Sequence, residues 1–234
     1  LGKYVDKFFI KKNKLNKQFP RKLKENLFKK ESKNNLNLLL KWNYKMKTII
    51  LCGGLGSRLS EETKIKPKPM VKIGKKPMIC HITEIYEKFG FDEFILALGY
   101  KGYYIKNFYS KKNKSQKINL VDTGKNTMTG GRLLKLKKFF KKGDTFMLTY
   151  GDGLSSHNIK KLLNFHKKQK TIATMTAVRP PARFGEIKLK KNKVYKFEEK
   201  PQVSNNWING GFFVFNYKIF DFIKNDQTML EREP

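Results

Sequence analysis

Apolar and polar positions after Met46 fall into segments of two periods. Thr48-Ile49-Ile50-Leu51-Cys52 is an unbroken apolar run and reads as a buried strand. Pro77 to Gly90 is a helix, with proline in its first turn, glycine at its end, and Ile79, Ile82, Ile85, Tyr86 and Phe89 on one face. Asp92 to Gly99 is a second buried strand, Gly102 to Ser110 a short helix, and Lys117 to Val121 a third strand. Gly131 to Lys142 is amphipathic, Thr145 to Tyr150 a strand, His157 to Gln169 a helix, and Thr171 to Val178 a strand. Strands alternating with helices at this spacing imply a Rossmann-like, doubly wound, mostly parallel α/β sheet. Ligands then bind at the carboxyl ends of the strands. From Glu186 to Lys200 apolar and charged residues alternate about Lys191-Asn192, which predicts a β-hairpin. Trp207 to Asn216 reads as a strand, and Tyr217 to Asn225 as helical.

The first stretch has a different texture. Residues 1–45 are rich in lysine and asparagine and carry only loose helical spacing, as in Leu23, Leu27, Leu36 and Leu40. They are expected to be a basic extension that is not part of the domain, with Met46 the natural start and 46–234 the domain. The alternative is a basic arm for an acidic partner.

Composition changes the picture in one respect. The formal charge is +33 over 234 residues, which raises nucleic acid or an anionic membrane as a partner. Nearly all of the excess is lysine spread along the whole chain, as a coding bias would leave it, so nucleic acid is not the expected partner. No apolar run is long enough to span a bilayer, so no membrane partner is expected. Cys52 and Cys80 lack metal-ligand spacing and read as small buried thiols of a reducing cytoplasm. His81 is expected to pack within its helix, and His157 and His166 to be solvated.

Candidate chemistry begins where the first strand ends. Gly53, Gly54 and Gly56 let the backbone turn sharply and approach a ligand, and successive N–H groups in such a turn favour phosphate oxygens. Arg58 adds a forked cation, and Lys66-Pro67-Lys68-Pro69 sets two more on a stiffened backbone. There is no Gly-Lys-Ser/Thr and no GxGxxG, so this is neither a P-loop nor a dinucleotide fingerprint. Asp152 closes a strand between Gly151 and Gly153, where a carboxylate suits Mg²⁺, or merely makes a turn. Thr127, Thr129, Gly130, Gly131 and Arg132 open a helix, whose N-terminus can attract an anion, or is simply capped by Thr129. Glu199 and Lys200 at the hairpin end, with Asn209 and Gly210, can bind sugar hydroxyls and a phosphate, or are hairpin charges and a strand bulge.

In this order the motifs resemble the sugar-phosphate nucleotidyltransferases. LCGGLGSRLSEETKIKPKPM, LGYKGYYIK, TYGDG, PPARFGEI, FEEKP and INGGFFVFN carry the likeness, and LVDTGKNTMTGGRL points to the CTP-using glucose-1-phosphate cytidylyltransferases. The resemblance implies a nucleotide-diphospho-sugar transferase fold with a sugar-binding hairpin. It implies transfer of CMP from CTP to glucose 1-phosphate with Mg²⁺, giving CDP-glucose for the dideoxysugars of surface polysaccharide. It assigns Leu51, Cys52, Gly53, Gly54, Leu55, Gly56, Ser57 and Arg58 to CTP, with Thr127, Arg132 and Gly151. Lys68 would contact the reacting phosphates, Asp152 would hold the metal, and Glu199, Lys200, Asn209 and Gly210 would face the sugar phosphate. Arg58, Lys68 and Asp152 are thereby the expected catalytic residues, in a cytoplasmic homo-oligomer.

Two departures accompany the likeness. Only Tyr104 to Leu120 joins the GYKGY and VDTG motifs, where the family has a longer segment. The family also continues past the position of Pro234, into a part with a second Asp that completes the Mg²⁺ site. The readings left beside the enzyme are a catalytically impaired nucleotide- or sugar-phosphate-binding fragment, another sugar-1-phosphate nucleotidyltransferase, and a basic nucleic-acid-binding protein.

Overall fold

The computed structural model describes residues 46–54, 65–111, 117–180, 184–199 and 207–233. The expected extension over 1–45 lies outside them, as do Leu55, Gly56, Ser57, Arg58 and Lys200.

A six-stranded sheet forms the centre, in the order β5-β4-β1-β6-β10-β7. Its strands are β1 (Lys47–Leu51), β4 (Glu93–Leu98), β5 (Lys117–Asp122), β6 (Thr145–Tyr150), β7 (Ala173–Val178) and β10 (Ile208–Asn216). β1 pairs in parallel with both β4 and β6, and β4 with β5. β10 runs antiparallel to its neighbours β6 and β7. Helices α1 (Met78–Glu87), α2 (Gly102–Ser110), α3 (Thr129–Lys135) and α4 (Ile159–Gln169) supply the crossovers. The expected mostly parallel α/β sheet is therefore present.

Alternation along β1 divides the core. Ile49 and Leu51 join Leu133, Leu136, Phe140, Phe146, Phe213 and Phe215 in one buried cluster. On the fully buried α1 face, Tyr86 meets Phe94 edge-on and stacks on Phe212, with ring centroids 6.4 Å apart in both pairs. Two apolar faces explain why β1 and β4 read as continuous apolar runs.

Local differences from the sequence pattern have simple causes. The amphipathic stretch after Gly131 divides into α3 and a 3-10 turn over Lys137–Phe139. Tyr217–Phe222 is a 3-10 turn in place of the expected helix, and Asn216 caps it by accepting from the Lys218 N–H at 3.0 Å. Short β2 (Lys72–Ile73) and β3 (Lys76–Pro77) lead into α1. β8 (Glu186–Lys190) and β9 (Lys193–Glu198) form the expected hairpin, turning at Lys191 with φ 53°. His166 is not solvated: it lies buried on α4, three residues after Leu163 on the same face, with Nδ1 2.9 Å from Thr174 Oγ1. His157 is half-buried, its ring edge-on to Phe212 at 4.5 Å.

Candidate active site

β1 and β6 are parallel neighbours, so their carboxyl ends meet. Leu51 sits opposite Tyr150, and the Gly151 N–H donates to the Leu51 carbonyl at 2.9 Å. A cleft of about 720 Å³ opens there. It gathers Leu51, Cys52, Gly53 and Gly54 from the glycine loop, Lys68, Thr127, Arg132, Gly151 and Asp152. Pro67 has φ −68°, and Val71 N–H donates to the Lys68 carbonyl at 3.0 Å, so a tight 3-10 turn presents Lys68. Its Nζ lies 3.1 Å from Asp152 Oδ2.

Arg132 occupies an unexpected place. Its guanidinium is buried and donates through Nη1 to Leu98 O, Thr123 Oγ1 and Gly124 O at 3.1, 2.7 and 2.7 Å. Through Nη2 it donates to Gly53 O at 3.0 Å and Lys125 O at 3.3 Å. The resemblance assigns Arg132 to the nucleotide, yet these donors already hold backbone and hydroxyl oxygens around the cleft floor. A Cβ on Gly53 would lie 2.2 Å from the guanidinium, and one on Gly99 2.4 Å. The close approach that requires glycine at 53 is therefore, first, to Arg132. Burial pulls the guanidinium below the ordinary arginine pKa, and Asp122 opposes the shift.

The start of α3 differs in the same way. Met128 N–H donates to Asp226 O at 2.9 Å and Gly130 N–H to Thr228 O at 3.0 Å. These N–H groups are spent on the 226–228 segment, so this end is no open anion site. Nor does Thr129 cap the helix: Met128 is the N-cap residue, and Thr129 Oγ1 donates to Glu231 Oε2 at 2.6 Å. The glycine pair follows from packing, because a Cβ on Gly131 would lie 2.4 Å from the Asp226 carbonyl oxygen.

The remaining expected residues stand at the margin. Asn209 Nδ2 donates to Tyr150 OH at 3.3 Å, and its Oδ1 accepts from Gly211 N–H at 2.7 Å in a register shift of β10 where Gly211 has φ 79°. Gly210 lies in the same irregularity, where a Cβ would meet the Thr176 carbonyl at 2.9 Å. Glu199 is exposed at the hairpin end and does not line the cleft. Lys125, Asn126, Met128, Tyr150 and Gln227 line it and were not singled out by pattern. Tyr150, the last residue of β6, carried a findable signal, since it precedes Gly151-Asp152 directly. Burial raises its phenol pKa, and the hydrogen bond to Glu231 adds to the shift. Burial also pushes the Cys52 thiol up, so it is a packed neutral group.

Asp152 fits a divalent cation of the Mg²⁺ kind, which takes one or two carboxylates and completes its shell with water and phosphate oxygens. Its carboxylate is 43% exposed and faces the cleft beside one cation, so it can exchange that partner. Among the described residues no group of three metal-ligating side chains occurs, and no helix is long and apolar enough to cross a membrane.

The chain is similar to known proteins in sequence and in fold. The nucleotidyl transferase family matches residues 47–234. The glucose-1-phosphate cytidylyltransferase of Salmonella typhimurium is 43% identical, over 81% of this chain and 82% of its own. A probable glucose-1-phosphate cytidylyltransferase of Bacillus subtilis is 41% identical over the same shares. Among solved structures, HddC from Yersinia pseudotuberculosis, complexed with GMP-PN, superposes with a TM-score of 0.62 at 27% identity, covering 80% of this chain and 84% of that one. The chain is thus a member of the nucleotidyl transferase family, alongside the glucose-1-phosphate cytidylyltransferases.

Proposed function

We propose that this domain, over 46–234, transfers CMP from CTP to glucose 1-phosphate, releasing pyrophosphate and forming CDP-glucose. One observation carries the reading: the glycine loop, Lys68 and Asp152 converge in a single cleft at the carboxyl ends of β1 and β6. The 41–43% identity to glucose-1-phosphate cytidylyltransferases supports CTP and glucose 1-phosphate as the pair.

The chemistry asks little of a base. A phosphate monoester oxygen of glucose 1-phosphate attacks the α-phosphorus of CTP, and pyrophosphate leaves as its bond to that phosphorus breaks. The protein must align two anions that repel, and neutralise charge as it builds. The Gly53-Gly54 backbone lies against the triphosphate, held from below by Arg132. Lys68 meets the reacting phosphates. Thr127 and the 125–129 loop border the nucleoside, and Asn209, at the cleft margin, faces the sugar phosphate. Mg²⁺ held by Asp152 would neutralise and orient the phosphates when bound. The same reading makes the product a precursor of surface-polysaccharide dideoxysugars. It places the enzyme in the cytoplasm, which two buried free cysteines suit. It takes the enzyme as a homo-oligomer, and the half-exposed Ile187 and Phe197 on the hairpin suit that state.

Pyrophosphate release measured with glucose 1-phosphate, Mg²⁺ and each of CTP, UTP, dTTP and GTP tests the reading. CTP is expected to give a kcat/KM at least ~10-fold above the others, the discrimination a site with paired hydrogen bonds achieves. Equal rates with UTP or GTP would remove the cytidylyl assignment.

A further inference from the structure

Glu231 stands at the point where the two halves of the cleft meet. Its Oε2 accepts from Thr129 Oγ1 at 2.6 Å, and its Oε1 accepts from Tyr150 OH at 2.5 Å. Thr129 and Tyr150 both line the cleft, from opposite sides: one opens α3, the other ends β6. The chain of bonds continues outward. Tyr150 OH accepts from Asn209 Nδ2 at 3.3 Å, and Asn209 Oδ1 accepts from the Gly211 N–H. Thr129 Oγ1 accepts from the Leu230 N–H at 2.9 Å, which fixes the direction of its own proton toward the carboxylate. Both hydroxyls therefore donate to one carboxylate, one to each of its oxygens.

We infer that Glu231 is a positioning residue of the transfer reaction, which rests on the function proposed above. It orients Thr129 on the nucleotide side. Through Tyr150 it also orients the Asn209 amide on the sugar-phosphate side, leaving the second Nδ2 hydrogen of Asn209 for a substrate oxygen. The anchor of Glu231 is the 226–228 segment, whose carbonyls hold the start of α3. The role is distinct from that of Lys68 and Asp152, because Glu231 itself does not line the cleft.

Two readouts on the full chain test it. In the ligand-free protein the Asn209 side-chain amide is followed by ¹⁵N NMR. Glu231→Ala is expected to shift that resonance in the same direction as Tyr150→Phe, and Glu231→Gln, which retains one acceptor oxygen, to shift it less. Binding of CTP and of glucose 1-phosphate is then measured by calorimetry. Glu231→Ala is expected to weaken both by roughly 5-fold, about one hydrogen bond's worth for each ligand. Tyr150→Phe should reproduce the glucose 1-phosphate loss, and Thr129→Val the CTP loss. If Glu231→Ala does not fold, Glu231→Gln and Tyr150→Phe carry the same comparison. An Asn209 amide that stays in place when Glu231 is replaced, or affinities that stay at wild-type values, would overturn the inference. A wild-type chain that binds neither ligand, with the amide shifting as expected, would support the bond network and refute the functional reading instead.

Discussion

Lys68 Nζ lies 3.1 Å from Asp152 Oδ2, across the mouth of the cleft and 84 positions away in sequence. The pair joins the expected phosphate-binding cation to the expected metal-binding carboxylate. Lys68 is 20% and Asp152 43% exposed at the side chain, so solvent screens the bond. Such pairs add roughly 0–1 kcal/mol to stability. It is therefore an exchangeable contact: a phosphate can take Lys68, and a cation can take Asp152.

Lys68→Ala is accordingly expected to slow turnover by ~10²–10³, the usual loss of one preorganised charge at a reacting centre. Its unfolding free energy should stay within about 1 kcal/mol of wild type. Steady-state kinetics and urea unfolding on the same preparation check both. Unchanged kcat would remove Lys68 from the chemistry.

Asp152→Asn frees Lys68 from its partner. In EDTA this variant should bind CTP as tightly as wild type or a few-fold tighter. The rise in CTP affinity that Mg²⁺ brings to wild type should disappear. Titration calorimetry with and without Mg²⁺ reads both effects. A Mg²⁺ response equal to that of wild type would place the metal elsewhere.

Arg132 is predicted to be as important to the fold as to the site. Removing its guanidinium takes this donor from the buried Gly53 carbonyl and the half-buried Gly124 carbonyl, while Leu98 O keeps the Thr123 N–H and hydroxyl. Arg132→Ala should cost on the order of 3 kcal/mol, since each unpaired buried polar group costs about 1–3. Arg132→Lys should restore little, because a single ammonium cannot reproduce the fork that spans Gly53 and Gly124. Denaturant unfolding of the two variants decides whether Arg132 acts as a strut. Loss of CTP binding in Arg132→Lys at wild-type stability would instead mark it as a direct ligand contact.

Stability should also fall as pH drops below about 6.5. Burial, with some help from Lys167, holds the His166 pKa below 6.5, and burial does the same for His157. The unfolded chain takes up these protons near pH 6.5, whereas the folded chain resists them until a lower pH. Their contribution is therefore complete above 6.5 and is lost between 6.5 and the folded pKa values. The slope is at most about 1.4 kcal/mol per pH unit for each proton. His166→Gln, which keeps a partner for Thr174, should flatten the profile between pH 5.5 and 6.5. An unaltered slope would exclude His166 as its source.

What could be read from the chain was local. Thr48 to Cys52 and Thr145 to Tyr150 are apolar runs followed at once by glycine, and parallel pairing brings their ends together whatever the details of packing. Gly151 and Asp152 were therefore legible as neighbours of the glycine loop. Arg132 was legible only as a cation near threonines. Its acceptors come from Gly53, Leu98 and the 123–125 turn, and no spacing reveals that three distant backbone segments share one guanidinium. The Gly130-Gly131 pair looked like a ligand-binding turn, while its cause is the 226–228 segment packed on it. Glu231 left no sequence signal at all, since its partner Thr129 is 102 positions away. His166 reads as surface because it stands among lysines, although it shares the apolar stripe of Ile159 and Leu163.

The most direct measurement follows the oxygen atoms. Glucose 1-phosphate labelled with ¹⁸O in its non-bridging phosphate oxygens is incubated with the chain, CTP and Mg²⁺, and the products are read by ³¹P NMR. The account predicts CDP-glucose carrying all of the label, one labelled oxygen in its phosphoanhydride bridge, and unlabelled pyrophosphate in equal amount. Label in the released pyrophosphate, or no CDP-glucose from CTP and glucose 1-phosphate, would contradict it.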